Sequence, residues 1–139
     1  MNDFVGVKAA LLFESKLLVF LRDNKPGLRF AGMWDFPGGG RENEETPFEC
    51  LAREVDEEFS IKLKPEAVIW QKAFPAMHDP KLIGYLAVAR ISKEDIDGIK
   101  FGSEGQKWTL MDVQEFLDRD DVVPHLKDRL SEYLKTNSI

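Results

Sequence analysis

The chain has 139 residues, 43% hydrophobic and 32% charged, with a formal net charge of −6 and a pI near 5.0. That is the composition of one globular domain over 1–139, long enough to bury a core, and its acidity argues against a nucleic-acid polymer as the main partner. Cys50 is the sole cysteine, which excludes an internal disulfide, and the apolar run at 9–13 is far too short for a membrane span and lacks the flanks of a signal peptide. The expectation is a cytoplasmic protein with no membrane partner, monomeric or homodimeric.

Residues 4–13 and 17–22 read as two strands around the short connection Glu14-Ser15-Lys16. Asp23-Asn24-Lys25-Pro26-Gly27 is loop chemistry. Residues 34–37 are a short extended piece, and Gly38-Gly39-Gly40 then frees the backbone to turn or to approach a ligand closely. Thr46-Pro47-Phe48-Glu49 is a helix start, with Thr46 as N-cap, Pro47 at N1 and Glu49 closing a capping box. Phe48, Leu51, Val55 and Phe59 recur at helical spacing as its buried stripe, which turns the acidic face away from the core. Strands are expected at 67–74 and 81–91, joined through His78-Asp79-Pro80. Residues 92–100 are a loop or one helical turn, 107–111 a short strand and 112–117 a short helix. A terminal helix over 123–134 carries Leu126, Leu130 and Leu134 on one face. Strands and helices mix without regular βαβ alternation. The expected class is α/β (α+β), a mixed sheet between helices rather than a doubly wound parallel sheet.

The acidic segment carries the chemistry. Eight carboxylates fall within 41–58, opposed only by Arg41 and Arg53. Glu54, Glu57 and Glu58 stand at i, i+3 and i+4 and share a helix face. Like charges so arranged are either solvated or hold something positive among them, and an oxygen-only set suits a hard cation such as Mg²⁺.

The spacing is Gly39, five residues, Glu45, seven residues, then Arg53-Glu54-Val55-Asp56-Glu57-Glu58-Phe59-Ser60-Ile61. It resembles the signature of the Nudix hydrolases, departing at Ser60, where that family has glycine. Trp34-Asp35-Phe36-Pro37-Gly38-Gly39 resembles the entry to that signature. The resemblance implies an α/β/α sandwich with a loop–helix–loop metal site that hydrolyses nucleoside diphosphates linked to another group, with Mg²⁺ as cofactor and Mn²⁺ able to substitute. Glu54, Glu57 and Glu58 match the metal-binding carboxylates, Gly38 the glycine whose carbonyl often joins them, and Arg53 the arginine that orients the acidic side chains. Glu45 matches a chiefly structural glutamate. Glu104 resembles a distal ligand or base, and Arg22 an arginine that contacts substrate phosphates. Trp34 and Phe36, beside the glycines, are candidates to line a base pocket. Trp70, Phe74, Phe101 and Trp108 read as core, His78 and His125 as ordinary loop and helix residues, and Cys50 as packing rather than a nucleophile. At the family's glycine position Ser60 is expected in a left-handed backbone conformation, at roughly 1 kcal/mol.

Two strands precede the signature, a compact lead-in similar to the MutT-like nucleoside triphosphatases. Before the last helix stands Arg119-Asp120-Asp121 where that branch has an asparagine. Asp120 and Asp121 therefore read either as base readers or as a polar helix start. The expected substrate is a small nucleotide, a nucleoside triphosphate, oxidised (8-oxo-dGTP-like) or not, cleaved to a monophosphate and pyrophosphate. The alternatives are an ADP-ribose or nucleotide-sugar hydrolase and a catalytically silent nucleotide-binding domain, against which the intact acidic set argues.

Overall fold

The structure, a computed structural model, describes residues 3–139. Its elements are β1 (Phe4–Phe13), β2 (Lys16–Leu21), β3 (Trp34–Asp35), β4 (Gly38–Gly40), α1 (Pro47–Phe59), β5 (Val68–Pro75), β6 (Ile83–Arg90), α2 (Lys93–Asp97), β7 (Lys107–Asp112), α3 (Val113–Asp118) and α4 (Pro124–Leu134). The sheet runs β3-β2-β1-β6-β5, with β4 paired to β1 and β7 to β2. β1 and β6 are parallel and the other pairs antiparallel. The mixed sheet expected from the sequence is therefore present.

Alternation along the inner strands divides the core into two layers. Val7, Ala9, Leu11, Leu18 and Phe20 meet Cys50, Leu51, Val55 and Phe59 of α1. Ala10, Leu12, Leu17 and Val19 face the other way, against Phe116, Leu126, Leu130 and Tyr133 of α3 and α4. The stripe of α1 differs by one position from the expectation, since Cys50 is wholly buried while Phe48 is only half-buried. Leu134 is likewise half-buried, and Tyr133 takes its place inside. Residues 92–100 contain the short helix α2, capped reciprocally by Ser92 and Asp95.

β1 and β2 pair only beside their hairpin, at Leu12↔Leu17 and Phe13↔Lys16. Beyond that they part. β4 occupies the edge β1 has left, and β3 the corresponding edge of β2. The glycine triplet is thus a strand rather than an open turn. Gly38 has φ +127, and a Cβ there would run into the Val7 carbonyl of β1. Glycine is required because two backbones meet, not because a ligand does. This parting of the sheet brings Lys8, Arg22, Asp35 and the glycines to one place.

Candidate active site

The helix α1 starts where its capping residues dictate. The Thr46 hydroxyl accepts from Glu49 N–H at 3.2 Å, and the Glu49 carboxylate accepts from Thr46 N–H at 2.9 Å. It ends at Ser60, which stands in the left-handed region at φ 59 and donates its N–H to Asp56. The acidic set is fixed between these ends. Arg53 gathers it, with Nε 2.7 Å from Glu45, Nη1 2.8 Å from Glu54 and 3.1 Å from Glu57, and Nη2 donating to Gly40 O at 2.8 Å. This shared charge holds the Glu45 carboxyl below its ordinary range. The acidic face does not point uniformly to solvent. Glu57 is 59% exposed, whereas Glu58 turns inward and accepts Gly38 N–H at 3.0 Å. Burial pushes the Glu58 carboxyl up to about 7, opposed by that N–H and by Lys8, and reinforced by Glu54 and Asp35. The exposed loop residue Glu104 meets them: Glu54, Glu57, Glu58 and Glu104 line one cavity of about 180 Å³.

A second group joins Arg22, a candidate from the sequence, to residues that the sequence pattern does not single out. Asp35 is 2% exposed. Its Oδ1 accepts Phe36 N–H at 2.7 Å, and its Oδ2 accepts Lys8 Nζ at 3.1 Å and Arg22 Nη1 at 2.9 Å. Three donors compensate this buried charge, as a buried carboxylate requires. Lys8 and Arg22 are thereby held over two adjoining cavities. One, about 500 Å³, is lined also by Glu54, Glu58 and Glu104. The other, about 300 Å³, is lined by Phe30, Tyr85, His125 and Arg129. The available signals were a lysine inside the apolar run of β1, an aspartate between Trp34 and Phe36, and a histidine and arginine four apart on α4.

Several expected site residues lie elsewhere. Phe36 is fully buried and stacks on Phe116 at 4.9 Å, so it builds core and lines neither cavity. Trp34, 8% exposed, belongs to the same core layer. Asp121 is committed to Arg119, at 2.7 Å through both carboxylate oxygens, which holds its carboxyl below the ordinary range. Asp120 is exposed, and neither aspartate borders the two cavities. Nor does either cap α4, whose N-cap is Val123 with no side-chain cap bond. Cys50 donates to Gly39 O at 3.6 Å, and burial pushes its thiol up to about 11, the state of a packing residue rather than a nucleophile.

Whether a divalent cation fits rests on the donors. The 180 Å³ cavity is lined by four glutamates with Gly102 and Ser103, and by no cationic side chain. An all-oxygen set of this kind suits a hard cation. Among the described residues no three acidic, imidazole or thiol groups already surround one point as ligands would; Glu54 and Glu57 are both hydrogen-bonded to Arg53. Mg²⁺ keeps much of its water shell and shares substrate phosphates, so it needs few protein ligands. Among the described residues no helix is long and apolar enough to cross a membrane.

Comparisons with known proteins agree with this geometry. An 8-oxo-dGTP diphosphatase from Proteus vulgaris is 34% identical over 55 residues, 40% of this chain; the chain spans about half the length of that curated relative, 49%. A MutT protein from Methanosarcina mazei Go1 superposes with a TM-score of 0.77 at 22% identity, covering 99% of this chain and 98% of the other. A bifunctional NMN adenylyltransferase/ADP ribose pyrophosphatase from Francisella tularensis superposes at 0.74 with 19% identity, covering 97% of this chain and 41% of the other. At such identities the two structures share the fold alone. The family description "NUDIX domain" matches residues 4–133, almost the full length, and the chain belongs to the NUDIX domain family.

Proposed function

We propose that the protein is a Mg²⁺-dependent pyrophosphohydrolase that cleaves a nucleoside triphosphate, oxidised or not, to the monophosphate and pyrophosphate. The resemblance of the 39–61 signature to the Nudix hydrolases implies a small nucleotide substrate and a divalent metal ion. The observation that carries the finer reading is the junction of the two cavities: Lys8, Arg22, Gly39 and Gly40 line both. A nucleoside in the aromatic cavity would extend its phosphates past two cations and toward Glu54, Glu58 and Glu104. The local likeness to an 8-oxo-dGTP diphosphatase supports the same class of substrate.

In this reading Lys8 and Arg22 bind phosphate oxygens, and Asp35 fixes both cations in place. Arg53 is a positioning residue that orders Glu54 and Glu57. Bound Mg²⁺ would neutralise phosphate charge and lower the barrier to attack by water. Glu54, Glu57, Glu58 and Glu104, with the Gly38 backbone carbonyl, are the groups that would hold it, with Mn²⁺ as the expected substitute. A carboxylate of the same cavity accepts the proton that the attacking water loses.

The test is a product screen of nucleoside triphosphates, ADP-ribose and nucleotide sugars with Mg²⁺ or Mn²⁺, repeated in ¹⁸O-labelled water. Label in the monophosphate or the pyrophosphate, with no early free phosphate, is the expected result. Free phosphate as first product, or far faster turnover of a diphosphate conjugate, would overturn the triphosphate reading. No turnover of any nucleotide would favour a silent binding domain.

A further inference from the structure

The 300 Å³ cavity contains a buried cation with no anionic partner. Arg129 of α4 is 9% exposed. Its Nη2 donates to Pro75 O at 2.8 Å, and its guanidinium lies 5.0 Å from the centre of the Phe74 ring. Its Nε and Nη1 donate to no protein acceptor among the described residues, and burial depresses its pKa with no carboxylate opposing that effect. A buried guanidinium left in this condition is costly unless something from outside accepts from it.

One helical turn earlier, His125 faces the same cavity. Its Nδ1 is buried with no hydrogen-bond partner, and its ring packs 5.7 Å from Phe30. An N–H at that closed position would have no acceptor, which leaves the proton on Nε2. Burial and the neighbouring charges of Arg129, Lys8 and Arg29, against Asp35, keep the ring neutral. Asp35 is the only carboxylate among the described residues lining the cavity, and both its oxygens are already engaged. The wall formed by α4 therefore offers side-chain donors and no free carboxylate acceptor.

We infer that Arg129 and His125 form a specificity-determining pair that reads a carbonyl on the edge of the bound base, selecting 6-oxo purines over 6-amino purines. The inference rests on the proposal that this cavity takes the nucleoside. Guanine presents O6 as an acceptor, with N7 beside it, where adenine presents an amino donor. On the α4 wall the amino group would face side-chain donors and no free carboxylate, and a donor set against donors is disfavoured. Phe30 supplies the adjacent apolar face.

The experiment compares kcat and KM for dGTP, dITP and dATP in the full-length protein and its variants. Hypoxanthine keeps O6 but lacks the 2-amino group, so dITP is expected to follow dGTP. The wild type should favour both over dATP by about tenfold or more. Arg129→Met should lower kcat/KM for dGTP and dITP by about tenfold to a hundredfold, the range for losing a bidentate base contact. That loss should fall mainly on KM, and the dATP value should drop by no more than about threefold. Arg129→Lys should recover part of the preference. Melting curves report whether each variant folds; should Arg129→Met not fold, His125→Phe carries the same contrast. The comparison is repeated with GDP-glucose and ADP-glucose. If only these conjugates are hydrolysed, the triphosphate reading falls while the base reading is still tested. A wild type that favours adenine, or a folded variant with an unchanged base ratio, would overturn the inference.

Discussion

At the scale of single residues, Ser60 shows a local rule broken without loss of the fold. The family's signature has glycine there, and the serine adopts the left-handed conformation at φ 59 that glycine would adopt freely. Its side chain is exposed and makes no hydrogen bond among the described residues. Ser60→Gly should relieve roughly 1 kcal/mol of strain, offset in part by about 0.4–1 kcal/mol of added unfolded-state entropy. The net expectation is a neutral to slightly stabilised protein, read from urea midpoints. A clear drop in the midpoint would show that the serine Cβ or hydroxyl makes a contact of its own. Ser60 was legible because its neighbours fixed both the motif and the helix end. Asp35 was not. Its meaning depends on Lys8, 27 positions away, and Arg22, 13 positions away, and no local pattern joins them.

At the scale of elements, β4 and α4 divide structural from chemical roles. Two of the three β4 glycines meet different obstacles. A Cβ on Gly38 would strike the Val7 carbonyl, which is backbone and cannot yield, and the residue would also carry φ +127. A Cβ on Gly39 would strike the Glu54 carboxylate, which can swing aside. Gly38→Ala is expected to destabilise the fold by about 1–3 kcal/mol or more. Gly39→Ala is expected to melt near the wild type while turnover falls by about 10²–10³, the range for displacing one electrostatic contact to the transition state. Melting and steady-state rates on the two purified variants check both; a weakly active, fully stable Gly38→Ala would contradict the first. For α4, the apolar period marks the helix and its buried Leu126 and Leu130, but it carries no signal for the pair at 125 and 129, which lies off that stripe. His125 yields a pH prediction. Burial and the positive charges of Arg129, Lys8 and Arg29 lower its pKa to about 4, against 6.5 for an ordinary histidine, with Asp35 acting in the opposite sense. The unfolded chain thus binds the proton more tightly. Stability from this group is present above about 6.5 and is lost as pH falls toward 4. His125→Phe should therefore flatten the acid limb of the stability curve between those values, measured by denaturant midpoints. An unaltered slope would show that His125 titrates normally.

At the scale of the whole molecule, the parting of β1 from β2 makes the site. Sequence patterns predicted both strands and the capped acidic helix, because each signal lies within a few residues. They did not reveal that β7 would pair along all of β2, from Lys16↔Asp112 to Leu21↔Lys107. Nor did they reveal that β4 would complete the edge of β1. Both are long-range pairings that depend on closing the fold. The result places four glutamates around one small cavity at the end of α1, with the Arg53 guanidinium bound to two of them. Their mutual repulsion is a standing cost of the native arrangement that the unfolded chain escapes. A divalent cation that binds the folded arrangement should therefore raise stability through linkage. At ten to a hundred times the dissociation constant the contribution is roughly 1.4–2.7 kcal/mol, a rise of several degrees in Tm for a chain of this length. General screening of the acidic surface would also stabilise, so the control is NaCl at matched ionic strength. EDTA-treated protein should melt several degrees higher in Mg²⁺ or Mn²⁺ than in the matched salt. That difference should shrink in Glu54→Gln and Glu58→Gln, which keep side-chain shape while removing a charge. Glu66→Gln, on the exposed 3₁₀ turn after α1, should retain it. Equal melting in Mg²⁺ and in matched NaCl would mean that the glutamates merely repel one another and that no cation is held there in the absence of substrate.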